Sequence, residues 1–406
     1  MQIGKVLLML TGCLVPYAIM AQSPIDKTHM NFDTTGKKDL IDIARSFVKS
    51  PPRPVSLDDK KTIYFSFLPL STSIPGGGNA LVTSTTAGFY LGNRKTTYLS
   101  TITFAPYFNL KGRYGLPIRS SFWLNNNSWN IQGDTRILVY PQYTWSLGGG
   151  QPESYKLLVS YNYLRFYQSA LKRITPYFFV GLGYDLDYYL DVESITNNNT
   201  LINFSHYKFG TLNDHNFISS GPTVNVLYDT RKNSLNPLPG AYVNFIYRYN
   251  TDVVGSNNNW QSIFADFRKY ISLSNSGPKN ILAFWSYYWS TLNSGAPYLN
   301  LPAIGMDPYQ RSGRGIEQNR YRGKRLIYFE SEYRRDITEN GLLGFVVFAN
   351  VNSASQPKNN RFVYWNPAAG TGLRIKFNKK SDTNICIDYG VSKNYSAVIL
   401  GLGEAF

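Results

Sequence analysis

The sequence predicts an all-β fold, a transmembrane antiparallel barrel of sixteen strands behind a short N-terminal helix. Three observations predict it. Of 406 residues, charged types supply 16% and aromatics 16%, with Tyr 32, Phe 24 and Trp 7; soluble globular chains carry about 25% charge. From Thr62 onward the dominant period is two, the mark of strands with unlike faces. After residue 21 no run holds 18 consecutive apolar residues, so helices do not do the spanning. The same composition excludes intrinsic disorder, because this many aromatics bury enough surface to offset ordering entropy. With two cysteines the chain is no disulfide scaffold.

Residues 1–21, MQIGKVLLMLTGCLVPYAIMA, read as a signal peptide. Lys5 supplies the positive start, residues 6–20 the apolar core, and Ala21 the small residue before a cut at Gln22. Pro16 argues against a membrane anchor, while Leu10-Thr11-Gly12-Cys13 also resembles a lipoprotein signal in which Cys13 is lipidated. Cleavage at Gln22 leaves one thiol, Cys386, which suits an exported bacterial envelope protein better than a small secreted scaffold.

Residues 22–60 form an N-terminal periplasmic segment. Within it, residues 37–50 place Leu40, Ile43, Ala44, Phe47 and Val48 on one helical stripe, and Pro51-Pro52-Arg53-Pro54 ends the helix. Two readings stand: a surface helix at the membrane edge, or a plug in the barrel mouth.

Residues 61–406 form the barrel, with strands expected to begin near 61, 79, 97, 116, 129, 155, 173, 216, 240, 260, 279, 321, 341, 365, 382 and 396. That is about 22 residues per strand and connection, enough for tilted strands of roughly 10 residues. Tyr155, Leu157, Val159, Tyr161 and Tyr163 oppose Lys156, Ser160 and Asn162; Ala241, Val243, Phe245, Tyr247 and Tyr249 oppose Asn244 and Arg248. Leu373, Ile375 and Phe377 oppose Arg374, Lys376 and Asn378, and Ile385, Ile387 and Tyr389 oppose Asn384, Cys386 and Asp388. The apolar sets are expected to face lipid. The charged sets fit a watered lumen rather than a dry sandwich interior, where unpaired charge costs heavily. Candidate lumen residues are Arg248, Asp266, Arg268, Glu330, Arg334, Arg374, Lys376 and Asp388. Closure follows because a sheet in hydrocarbon leaves no edge unpaired, and an even strand number puts both termini in the periplasm. Phe284-Trp285-Ser286-Tyr287-Tyr288-Trp289 reads as an interfacial girdle.

No catalytic constellation is present: neither nucleophile elbow, paired-carboxylate motif nor phosphate loop occurs. The three histidines are His29, His206 and His215; the latter two, with Asp214, are spaced too loosely for a metal site. Asp185, Asp187, Asp191 and Glu193 read as a solvated loop after the seventh strand, with weak calcium contact as the alternative. The net charge is +16, but basic residues recur singly along alternating strands, which speaks against nucleic-acid binding. No cofactor and no metal are expected, and the chain reads as a non-enzyme.

Four features together resemble the C-terminal barrel of the bacterial outer membrane protein assembly superfamily, also called the bacterial surface antigen D15 family. Arg314-Gly315-Ile316 resembles the family's Arg-Gly-aromatic loop signature, with Ile316 in the aromatic place. Asp229-Thr230-Arg231 with Pro237 and Gly240 lies upstream; Gly344-Phe345-Val346 and Ala369-Gly370-Thr371-Gly372-Leu373-Arg374 lie downstream. The chain ends in Gly401-Leu402-Gly403-Glu404-Ala405-Phe406, where Val398, Leu400, Leu402 and Phe406 share a face and Phe406 resembles a terminal sorting signal.

The resemblance implies a sixteen-stranded barrel with a long extracellular loop, about residues 292–320, folded inward, and Arg314 clamped on Glu332. Val347 stands where the family has Asp, which leaves Glu332 as the expected partner. Members that assemble or translocate proteins carry periplasmic repeat domains, for which residues 22–60 are too few. The implied role is a barrel-only contribution to outer-membrane biogenesis, in contact with outer-membrane lipid and lipopolysaccharide and with another envelope protein as partner. The alternatives are a plugged, anion-leaning pore for small solutes, or a structural surface antigen.

Overall fold

The computed structural model describes residues 36–48, 63–74, 78–109, 113–195, 200–211, 215–231, 233–274 and 278–406. The signal peptide with Cys13, together with His29 and Asp214, lies outside them, as does most of the 22–60 segment.

Helix α1 (Leu40–Phe47) opens with a capping box: Asp42 N donates to the Asp39 carboxylate at 2.8 Å, and Asp39 N to that of Asp42 at 3.3 Å. The helix buries none of its residues, and Phe47 and Val48 are exposed. It rests on a rim of the sheet. Lys38 N donates to Asn340 O at 3.1 Å, and Lys379 donates through its backbone to Asp39 at 2.9 Å and through Nζ to Asp42 at 2.6 Å.

Eighteen strands follow among the described residues. The first nine are β1 (Tyr64–Ile74), β2 (Gly78–Phe89), β3 (Ser100–Phe104), β4 (Tyr107–Phe108), β5 (Tyr114–Trp123), β6 (Trp129–Val139), β7 (Gln142–Thr144), β8 (Leu157–Thr175) and β9 (Phe178–Ser194). The rest are β10 (Phe217–Asp229), β11 (Gly240–Asn250), β12 (Trp260–Ser272), β13 (Asn280–Thr291), β14 (Arg325–Asp336), β15 (Leu343–Ala354), β16 (Asn366–Asn378), β17 (Thr383–Ser392) and β18 (Ser396–Leu402). Helix α2 (Leu201–Ser205) interrupts the β9–β10 connection.

Every register is antiparallel between chain neighbours, so the sheet is a meander. β3 and β4 both pair with β2 and β5, and β6 and β7 both pair with β8, so among the described residues the strands amount to sixteen staves. The strand starts expected from the sequence differ from those observed by at most five residues, at β9. The sheet curls until β18 lies against β1 and β2, enclosing an interior. The longest connections, residues 145–156, 195–216 and 292–324, share one rim; those at the other rim, of which 90–99 and 230–239 are the longest, are shorter.

On β11, β16 and β17 the faces alternate as the sequence suggests: Val243, Phe245, Leu373 and Tyr389 are exposed on the outer wall, while Asn244, Arg374 and Asp388 are buried inside. On β8 the expectation is reversed. Leu157, Val159, Tyr161 and Tyr163 point inward and pack with Ala296, Tyr298, Leu299 and Leu301 of the 292–324 connection. Phe166, exposed on the other parity, belongs to the outer wall. Both faces of β8 carry large apolar residues, so alternation alone cannot say which meets lipid.

Three further expectations are corrected. The aromatic run on β13 is not a girdle: Trp285 and Tyr287 are buried inside, and only Phe284 of the large set is exposed. Asp185, Asp187, Asp191 and Glu193 are not in a loop but in β9, with Asp187 fully buried. Phe406 does not share the outer face of Leu400. Gly403 adopts φ +80, which turns the chain inward, and Phe406 lies 5.3 Å from the Trp285 ring and 6.2 Å from that of Tyr270.

Candidate functional site

The 292–324 connection crosses the interior, and two sets of contacts hold it. The first is built around Arg314. Gly313 and Gly315, with φ +77 and +86, bend the chain through conformations costly for other residues. A Cβ on Gly315 would come within 2.6 Å of Val391 N, and Gly390 supplies the matching gap on β17. This close approach aims the guanidinium at the wall. Arg314 Nε donates to Glu330 at 3.0 Å and Nη1 to Asp388 at 2.7 Å, while Nη2 reaches both Glu330 and Glu332. The Phe348 ring lies 3.7 Å beneath, and Asn350 Nδ2 donates to Arg314 O at 3.0 Å. Every charged group here is buried, so pairing is what makes the arrangement tolerable.

Glu332 is thus one of three carboxylates on Arg314. Val347 is half exposed on the outer wall, and the additional acids come from Glu330 on β14 and Asp388 on β17. Ile316, in the aromatic place of the signature, is buried in an apolar cluster with Ile304, Phe264 and Tyr287.

The second set of contacts runs in the opposite chemical sense, from wall cations to loop carbonyls. Arg136 on β6 donates to Pro308 O at 3.0 Å, and Arg119 on β5 to Tyr309 O at 2.7 Å. Tyr309 also exchanges a 2.7 Å hydrogen bond with Tyr242, and the Arg268 guanidinium lies 4.6 Å from its ring. Counted along the sheet, β5 stands eight staves and β6 seven from β14, so the connection is held at well-separated parts of the wall. The sequence carries no signal for this grip, because backbone carbonyls are the acceptors.

The eight lumen candidates all lie buried on the inner face. Arg248 meets Asp187 at 2.6 Å, and Asp266 pairs two-pronged with Arg268 at 3.0 and 2.6 Å. Glu330 is on Arg314, and Arg334 holds Glu332 at 2.5 Å. Arg374 joins Asp388 at 2.5 Å to Glu404 at 2.7 Å, and Lys376 pairs with Asp382. Arg334 also donates to Phe406 O at 3.1 Å, so residues 403–406 belong to the same network. Sequence reasoning missed Asp187, which accepts from Tyr167 at 2.7 Å and from Asn300 at 3.0 Å. His206 and His215 are exposed, and no group of three metal-ligating side chains clusters among the described residues.

The interior is therefore layered. Toward the long loops, Tyr298, Leu299 and Leu301 seal against Tyr161, Tyr189 and Phe217. Toward the short turns lies a cavity of about 300 Å³, with Ser234, Leu235 and Phe406 in its lining.

The fold is that of solved outer-membrane barrels. BamA from Haemophilus ducreyi lacking POTRA domains 1-3 aligns with TM-score 0.50 and 13% identity, over 89% of this chain and 77% of that one. CdiB from Acinetobacter baumannii gives TM-score 0.51 and 12% identity, over 82% of this chain and 57% of its own. CdiB from Escherichia coli gives 0.53 and 9%, over 87% and 62%. The chain spans less than two thirds of either CdiB. No family model matches the sequence, and no curated protein matches it. The resemblance drawn from the Arg314 loop holds at the level of the fold.

Proposed function

We propose that the chain is a closed outer-membrane barrel of the assembly superfamily that serves envelope biogenesis together with a separate envelope protein. The observation that carries this reading is the inner connection pinned by Arg314 to β14 and β17, within a fold like that of BamA and CdiB. The outer wall of exposed Phe245, Phe267, Phe284 and Phe329 meets hydrocarbon, and the charged inner face does not. On this reading the short turns, both described chain ends and α1 face the periplasm, and the long loops face outward. The aromatic cluster around Tyr298 packs across the interior, and on this reading it closes the barrel to ions.

Two measurements test this. Depletion in the native bacterium is expected to lower the levels of other outer-membrane proteins, and the purified protein is expected to be silent in planar bilayers. Stable, anion-selective conductance with unchanged outer-membrane composition would replace the proposal with the plugged-pore alternative.

A further inference from the structure

We infer that the cavity between the inner connection and the short-turn rim is a binding site for a small phosphate-bearing anion, recognised by Arg119 and Arg311. Its volume of about 300 Å³ sits at the lower end of small-molecule pockets, roughly 300–1,000 Å³.

The lining is unbalanced in charge. Six guanidiniums reach it, from Arg119, Arg165, Arg231, Arg248, Arg268 and Arg311, against the carboxylates of Asp134, Asp185 and Asp229. Four of the six are answered by acids. Arg231 holds Asp229 at 3.0 and 2.9 Å, Arg268 holds Asp266, Arg248 holds Asp187, and Arg165 lies 3.3 Å from Asp134.

Arg119 and Arg311 are answered less well. Arg119 gives Nη1 to the Tyr309 carbonyl, and its nearest carboxylate is Asp134 at 3.8 Å. That acid is already gripped by Arg136 through 2.7 and 2.6 Å bonds. Arg311 donates to the Glu404 carbonyl, and among the described residues no carboxylate lies within ion-pair distance of it. The acids nearby are engaged elsewhere: Glu404 with Arg374 at 2.7 Å and Asn384 at 2.8 Å, and Asp307 with Ser312 N at 3.0 Å.

Arg119 is held by the Tyr309 carbonyl, two residues from Arg311, and both arginines line the same cavity. Both are only partly buried, as residues of the cavity lining. Two like charges under-neutralised in an enclosed site are unfavourable until an anion sits between them. A guanidinium fork matches the oxygens of a phosphate two at a time. The Thr101 hydroxyl in the same lining offers a further donor, and Tyr242, Tyr309 and Trp289 offer ring surface for an attached organic group. Access is from the short-turn rim, because the Tyr298 seal closes the other side. The inference needs an enclosed interior and not the biogenesis role, so an absent depletion phenotype leaves it standing.

The test uses the full protein in a phosphate-free detergent. Calorimetric titration with inorganic pyrophosphate at low ionic strength is expected to give saturable binding near one per barrel. Arg119→Gln and Arg311→Gln should each weaken it at least tenfold, with Arg335→Gln on the outer wall as the neutral control. Native mass spectrometry of untreated protein supplies a second arm. A retained phospholipid that blocks pyrophosphate in the unaltered protein and is lost in Arg119→Gln identifies a lipid headgroup as the source of the phosphate. Absence of both saturable binding and any phosphate-bearing adduct overturns the inference, as does binding unchanged in both variants.

Discussion

Replacing Arg314 with Ala removes one cation from three carboxylates, and the consequences for the three differ. Glu332 keeps Arg334 at 2.5 Å, and Asp388 keeps Arg374 at 2.5 Å. Glu330 keeps only the Tyr328 hydroxyl and is left as a buried charge without a counterion. Breaking a buried ion pair by removing one partner costs about 3–5 kcal/mol. The damage is concentrated on one acid, which makes the reasoning testable. Adding Glu330→Gln to Arg314→Ala should recover part of the loss, by about 0.5–3 kcal/mol, the usual size of coupling between contacting residues. The assay is denaturant unfolding of the detergent-folded barrel, followed by tryptophan fluorescence, since Trp285 lies 5.2 Å from the Tyr328 ring. Heat-modifiable migration and protease cleavage within 302–324 give independent readouts. If Arg314→Ala unfolds with the unaltered protein and its loop resists protease equally, the clamp is not a stabilising element. If Glu330→Gln deepens the defect instead of relieving it, the assignment of the orphan is wrong.

Three other outcomes are expected. Gly315→Ala should loosen the connection nearly as much as loss of Arg314, because a Cβ there meets the β17 backbone; unchanged loop proteolysis would contradict the close approach. Tyr298→Ala, which removes a buried ring and its 2.6 Å hydrogen bond with Thr144, should open the seal and produce current in planar bilayers; silence would place the barrier elsewhere. Burial alone would raise the Glu404 carboxyl, but Arg374 and then Arg334 outweigh it and hold the group well below its ordinary 4.5. Its stabilisation is therefore complete above that value and declines as the pH falls below it. Glu404→Gln should flatten the acid loss of unfolding midpoint, and an identical acid slope in the variant would refute the linkage.

Much of the wall was legible because lipid and water impose opposite demands on successive residues. On β16 the alternation of Leu373, Ile375 and Phe377 with Arg374 and Lys376 leaves one sensible orientation. On β8 that logic fails for a physical reason. Tyr161 and Tyr163 face an apolar segment of the chain's own inner connection, so their face is as oily as the one toward lipid. Phe406 was misplaced because strand parity was extended past Gly403, where the positive φ ends it. For the site, Arg314 and Glu332 could be read from a short motif. Asp388 could not be joined to them, because its approach depends on β15 and β16 setting the register between β14 and β17. The contacts of Arg119 and Arg136 were invisible for a different reason: any residue could supply the carbonyls they hold.

The inner connection is grasped by arginines at one wall and by acids at the other. Mechanically it is a tie-rod set across a hoop. A hoop braced by a rod resists being squeezed or stretched along it. One anchor of this rod, Asp388 on β17, stands one strand from the place where β18 rests against β1 and β2, so the brace reaches almost to where the two ends of the sheet meet.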